Sequence, residues 1–265
     1  MTKRGFYVFD VPLRLVSDHA RRLRHWCLDR RAESAGGRHA DLTVMRRPFA
    51  ALIAAAVLAQ CAPAQAESVV KLPAAAVDPA VKTKRAVAVL AGGCFWGVEG
   101  VFSNVKGVVS VESGYHGGSK ATAEYDQTSS GTTGHAESVR IVYDPSMVSY
   151  GTLLRILFSV VADPTLKNRQ GPDSGTQYRA AIVPMDAAQR QVATAYLAQI
   201  GKGRYFKAPI VVPVESYKGF YRAEAYHQDF MRLHPDNGYI RRWDAPKLAA
   251  LKRLYPEWVR ATPAP

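Results

Sequence analysis

The chain has 265 residues, 48% hydrophobic and 22% charged, an ordinary globular composition with enough length for one large domain or two small ones. A formal charge of +13 invites a nucleic-acid reading. From residue 67 onward, however, 24 Lys and Arg face 17 Asp and Glu, and the residual +7 is spread without a dense basic run, so a solvated surface explains it and a nucleic-acid partner is excluded.

Residues 1–44 are rich in arginine and lack sustained periodicity. They precede Met45-Arg46-Arg47, an apolar run from Phe49 to Ala59, and Ala64-Gln65-Ala66. A charged start, a short apolar middle and a small-x-small site make residues 45–66 a secretory signal peptide, cleaved after Ala66. The apolar run is too short for a permanent membrane span, so no stable membrane insertion follows cleavage. A signal opening at residue 45 makes residues 1–44 a start-site artefact or a disordered extension. The expected location is the bacterial periplasm. A lipid-anchored form at Cys61 ranks lower, because Leu58-Ala59-Gln60-Cys61 places glutamine where a lipoprotein box wants a small residue. Of Cys27, Cys61 and Cys94, only Cys94 survives such cleavage, which leaves no intramolecular disulfide to form.

Residues 67–84, with their Ala, Pro and Lys, read as a flexible leader, and the folded domain occupies 85–265. Periodicity predicts strand 87–91, helix 97–105, strands 107–114 and 136–143, helix 149–160, strand 177–183, helix 186–200 and strand 209–215. The first six form β-α-β-β-α-β, a ferredoxin-like α+β core in a two-layer sandwich. Three long polar loops, 115–135, 163–176 and 217–238, carry enough glycine and aromatic residues to suggest binding rather than connection.

Chemistry concentrates at Gly92-Gly93-Cys94-Phe95-Trp96-Gly97, where a strand gives way to a helix. On a first helical turn the unpaired N–H groups and the dipole favour a thiolate, so Cys94 is expected to be a reactive cysteine of lowered pKa. The alternative is a buried structural cysteine. Glu137 shares a strand face with Val139 and Ile141, which disfavours its ionised form and makes it a candidate general acid; the bland reading pairs it with Arg140 or Arg179. Asp173, Tyr178 and Tyr115 bring a carboxylate and two phenols towards one sheet edge. The tyrosines are either core residues or donors to a polar oxygen. Phe95 and Trp96 supply an apolar wall or plain packing, and His227 is a site residue or a satisfied histidine. His116, His135, His227 and His234 lack metal-ligand spacing, so no metal is expected.

Five motifs then fall into one family's order: Gly93-Cys94-Phe95-Trp96-Gly97, Gly114-Tyr115-His116-Gly117-Gly118, Gly134-His135-Ala136-Glu137, Gly175-Thr176-Gln177-Tyr178-Arg179 and Ala225-Tyr226-His227-Gln228. Together, over roughly 86–256, they resemble the A-type peptide methionine sulfoxide reductases. The resemblance implies that Cys94 attacks the sulfoxide sulfur of methionine S-sulfoxide, free or in proteins, and becomes a sulfenic acid. It implies that Phe95 and Trp96 hold the S-methyl group, that Glu137 protonates the sulfoxide oxygen, that Tyr115 and Tyr178 hydrogen-bond it, that Asp173 helps organise the pocket, and that His227 occupies a position near the site. Such an enzyme binds no cofactor and acts as a monomer. Where many members carry a recycling cysteine, this chain has Ile240, so an external thiol or dithiol is expected to reduce the sulfenic acid: a thioredoxin-like or glutaredoxin-like protein, or a small thiol. The competing classes are a papain-like cysteine hydrolase and a non-catalytic exported binding module.

Overall fold

The computed structural model describes residues 69–265, so the segment predicted to be a signal peptide, Cys27 and Cys61 lie outside the described residues. Strand β1 (Ala86–Gly92) ends on the first residue of the glycine pair. Helix α1 (Phe95–Phe102) follows, then β2 (Val108–His116), β3 (Ala136–Tyr143) and helix α2 (Tyr150–Ile156), which continues as a π turn over Leu157–Val161. Strand β4 (Ala180–Val183), helix α3 (Ala187–Lys202), strand β5 (Phe220–Arg222) and helix α4 (Ala245–Leu254) complete the regular elements that position the site.

All strand pairs are antiparallel, in the order β4-β1-β3-β2-β5. The first four follow the ferredoxin-like order, so the predicted α+β core is the one observed. Local chemistry sets the boundaries. Ser149 accepts a hydrogen bond from the Thr152 N–H at the start of α2, and Asp186 accepts one from the Gln189 N–H at 2.7 Å at the start of α3. Helix α1 starts two residues before its predicted start and stops early, because the side chains of Ser103 and Asn104 turn back onto the Gly100 carbonyl. The main core is a cluster of Leu90, Val98, Phe102, Val139, Ile141, Leu153, Leu157 and their neighbours, all buried, with a small second cluster of Ala91, Ala136 and Ala181.

Three expectations need correction. The strand predicted at 209–215 does not form. Pro209 and Pro213 cannot donate to a ladder, and only a parallel bridge between Val214 and Ile182 survives. The strand predicted at 177–183 is shortened to 180–183, because residues 176–178 make a 3₁₀ turn tied to the 129–131 loop.

The leader is also different from its expected form. Residues 70–78 lie against the domain: Leu72 is buried, its N–H meets the Tyr255 hydroxyl at 3.1 Å, and its carbonyl accepts from Arg155 at 2.7 Å. Gln199 spans Ala74 and Ala76, and Asp78 accepts the Gly151 N–H at the start of α2. Burying Leu72 alone is worth about 1.5–3 kcal/mol.

Candidate active site

Gly93 turns the chain with φ +92°, and a side chain there would meet Gln170 Cβ at 2.6 Å. Only glycine suits both demands. The turn delivers Cys94 to the N-cap position of α1, nearly buried. One further glycine matters in the same way: a Cβ on Gly97 would lie 2.1 Å from Asp244 Oδ1, so its absence lets the Asp244 carboxylate press against the first turn of α1.

Glu137 arrives from β3. It is the direct cross-strand partner of Tyr115 on β2, so both side chains leave the sheet on the same face. The Phe95 N–H donates to Glu137 Oε2 at 2.9 Å, which ties the carboxyl to the helix turn that carries Cys94. Burial is nearly complete, and with Asp173 and Asp244 nearby it pushes the Glu137 carboxyl up to about 8, against the pull of the Phe95 N–H. The salt-bridge alternative fails, since Arg140 pairs with Glu112 and Arg179 with Glu215.

The Cys94 thiol corrects a sequence expectation. Its pKa is raised well above the ordinary thiol value, chiefly by burial and then by the charges of Glu137, Asp244 and Asp173; only the Trp96 N–H pulls the other way. The helix N-terminus is real, but a desolvated thiol among three carboxyl groups outweighs it.

Around this pair stands an aromatic wall. Phe95 is buried, tilted against Tyr115 at 5.8 Å and His227 at 4.9 Å. Trp96 is half-buried, stacked on Phe230 at 3.7 Å and 9°, with Tyr239 edge-on at 6.0 Å, and its Nε1–H donates to His227 Nδ1 at 3.1 Å. His227 is buried and its pKa falls to about 4 by desolvation, so it is neutral. Tyr178 has a raised pKa from burial, with Glu137, Asp173 and Cys94 among the charges that act on it. Asp173 accepts a hydrogen bond from the Tyr239 hydroxyl, and burial raises its pKa as well.

All eight residues singled out from sequence therefore converge on one site. Four others escaped that reading. Tyr125, from a single helical turn at Tyr125–Thr128, has its phenol pushed up to about 12 by burial, with Glu137 and Cys94 adding to it. Tyr239 stands edge-on to Trp96 and donates to Asp173. Asp244 is fully buried, pushed up to about 6 by desolvation, and paired with Lys247 at 3.4 Å. The run Asp244-Ala245-Pro246 is a helix-start signature that could have flagged α4, though not its approach to Cys94. Glu224 receives the Tyr115 hydroxyl at 2.9 Å. Among the described residues, no group of three or more His, Cys, Asp or Glu is arranged to hold a metal ion.

Chemically, the site offers one sulfur nucleophile, one carboxylic acid that keeps its proton near neutral pH, and a half-buried aromatic slot. A family model described as peptide methionine sulfoxide reductase matches residues 86–257. The peptide methionine sulfoxide reductase MsrA 2 of Mesorhizobium japonicum is 54% identical over 169 residues, 64% of this chain and 87% of that protein. Its namesake from Synechocystis is 47% identical over 191 residues, 71% and 89% respectively. Among solved structures, the reduced form of Mxr1 from Saccharomyces cerevisiae aligns with a TM-score of 0.53 at 28% identity, covering 62% of this chain and 93% of that one.

Proposed function

Because this chain belongs to the peptide methionine sulfoxide reductase family, we propose that it reduces methionine S-sulfoxide, free or in proteins, through a sulfenic acid on Cys94, and so repairs oxidised proteins. The observation that carries this reading is the Cys94–Phe95–Glu137 arrangement: a thiol at the start of α1 and a buried carboxyl from β3 held against the same helix turn by the 2.9 Å bond from the Phe95 N–H.

The resting site holds a neutral thiol and a neutral acid. Glu137 Oε2 is committed to the Phe95 N–H, which leaves Oε1 to carry the proton. A sulfoxide entering the aromatic slot places its partly positive sulfur beside Cys94 Sγ and its partly negative oxygen at the acid. That dipole favours the thiolate, which attacks sulfur while Glu137 gives its proton to oxygen. The hydroxyl then passes to Cys94 Sγ: an Sγ–O bond forms as the S–O bond and the new Sγ–S bond both break, releasing the thioether and leaving a sulfenic acid whose hydrogen came from Glu137; the proton lost from the thiol restores Glu137. Tyr178 and Tyr115 line the oxygen side, Phe95 and Trp96 the methyl side, and Asp173 anchors Tyr239.

Recycling uses an external thiol or dithiol. The first thiol attacks the sulfenic sulfur, releases water and forms a mixed disulfide; a second thiol attacks that disulfide and returns Cys94. Ile240 is buried, and among the described residues Cys94 is the only cysteine, which supports this route. A papain-like hydrolase fits less well, because His227 spends Nδ1 on the Trp96 indole rather than on the thiol. Assay of the purified protein on the two sulfoxide epimers with several thiol donors is expected to show reduction of the S epimer alone, with no intramolecular disulfide accumulating. Equal rates on both epimers, or none, would refute the assignment.

Residues 45–66 serve as a cleaved export signal that sends the enzyme to the bacterial periplasm; the arginine pair, short apolar run and Ala-Gln-Ala site support this. Mass spectrometry of the exported protein is expected to find Glu67 at its N-terminus. A chain starting at Met1, or a lipid on Cys61, would overturn it.

A further inference from the structure

Glu224 lies outside the chemistry described so far, yet its carboxylate collects groups from three sides of the pocket. Oε1 accepts the backbone N–H of Tyr125 at 2.9 Å, and Oε2 accepts the hydroxyl of Tyr115 at 2.9 Å. Oε2 also lies 3.9 Å from His227 Nε2. The tautomer of His227 follows from its other nitrogen. An indole N–H can only donate, so the bond from Trp96 Nε1 makes Nδ1 an acceptor and leaves the hydrogen of the neutral ring on Nε2, facing Glu224.

The backbone that presents Glu224 is fixed independently. Strand β5 pairs with β2 through Gly114–His116, and the Ala223 N–H bonds the Ser113 carbonyl at 2.9 Å. The Gln228 amide accepts the Ser113 N–H at 3.0 Å and donates to the Ser113 and Ala223 carbonyls at 3.1 and 3.0 Å. Beneath them, buried Glu99 of α1 accepts both the Ser113 hydroxyl and the Asp229 N–H. The loop 223–229 is thus stitched to β2 before any contact by the Glu224 side chain is counted. Although partial burial opposes it, the carboxyl sits below the usual range because of the Tyr125 N–H and the Tyr115 hydroxyl, so it is the ionised form that organises these donors.

We propose that Glu224 is a positioning residue for sulfoxide binding: one carboxylate fixes the Tyr115 hydroxyl and the Tyr125 turn, and it stands 3.9 Å from the Nε2 of His227, whose Nδ1 accepts the Trp96 indole that walls the substrate. This rests on the placement of Tyr115 and Trp96 at the substrate in the preceding section. It also assigns Tyr115 a specific state: in the unliganded enzyme its hydroxyl keeps its proton and donates it in a hydrogen bond to Glu224, so its oxygen is held in place before substrate arrives.

The test is Glu224→Gln in the full chain, assayed with methionine S-sulfoxide and dithiothreitol, with Glu224→Asp beside it. A carboxamide has one oxygen and cannot accept at both of the positions that Oε1 and Oε2 now hold, one for the Tyr125 N–H and one for the Tyr115 hydroxyl. The expected result is a KM raised about tenfold, the size of one lost charge-assisted hydrogen bond, with kcat changed less than about threefold. The Trp96 indole N–H resonance should also shift, and Glu224→Asp should lie between. An unchanged KM with an unchanged indole signal overturns the proposal, whether or not thermal stability falls. So does a loss confined to kcat. If Glu224→Gln fails to fold, Glu224→Asp carries the same two readouts. Failure of the underlying site reading is separable, because Cys94→Ser would then stay active.

Discussion

Replacing Cys94 with serine is expected to lower sulfoxide reduction by about 10⁴-fold or more, since it removes the atom that accepts the oxygen. A serine hydroxyl has the shape but neither the accessible anion nor a sulfur able to form a sulfenic acid. The site is also unusually hard on a substitute: the position is nearly buried, and three carboxyl groups oppose any further negative charge. The measurement is turnover of the S epimer, together with trapping of the sulfenic acid by a carbon nucleophile. Wild type should be trapped at one site per chain and the variant at none. A variant with substantial turnover would end the nucleophile assignment, and one that kept its full biological effect without turnover would favour the binding-module reading.

Glu137→Gln should produce the second largest effect, a fall of about 10²–10⁴-fold in the single-turnover rate of sulfenic acid formation, the usual size for losing a positioned general acid. The sign of the pH dependence follows from a carboxyl pushed up to about 8. Below that value the acid carries its proton and can deliver it; above it, the rate should decline. The alkaline decline should vanish in the glutamine variant, leaving a low rate without that limb. Stability is linked to the same proton. The folded state keeps it from the ordinary carboxyl range up to about 8 while the unfolded chain has lost it, so this group's contribution to stability falls as pH rises across that window. Urea titrations at several pH values should show a smaller slope for the variant. A single-turnover rate near wild type would remove Glu137 from its assigned role.

The core of the fold was legible because its signals are local. Apolar runs, the β-α-β-β-α-β order and the glycine pair before Cys94 need no knowledge of distant residues, and strand 136–143 is observed with its predicted bounds. Strand β5 escaped because three residues, Phe220–Arg222, have no period to detect; their existence depends on an unpaired edge of β2. Asp244 and Glu224 escaped for a related reason. Each is an ordinary acid in its own segment, and its importance arises when a distant gap, the missing side chain of Gly97 or the hydroxyl of Tyr115, meets it in space. The thiol was misjudged by weighing a single local effect. A helix N-terminus lowers a thiol pKa, but burial beside Glu137, Asp244 and Asp173 is a tertiary property that no window of sequence contains.

That crowd of acids has a bearing on survival of the enzyme itself. Peroxides attack thiolates far faster than thiols, so a repair enzyme whose sulfur stood permanently ionised would be consumed by the oxidants whose damage it corrects. Holding Cys94 uncharged until a sulfoxide dipole reaches it separates the two encounters: the substrate-free enzyme is expected to be oxidised slowly by hydrogen peroxide at neutral pH, which mass spectrometry of peroxide-treated protein checks.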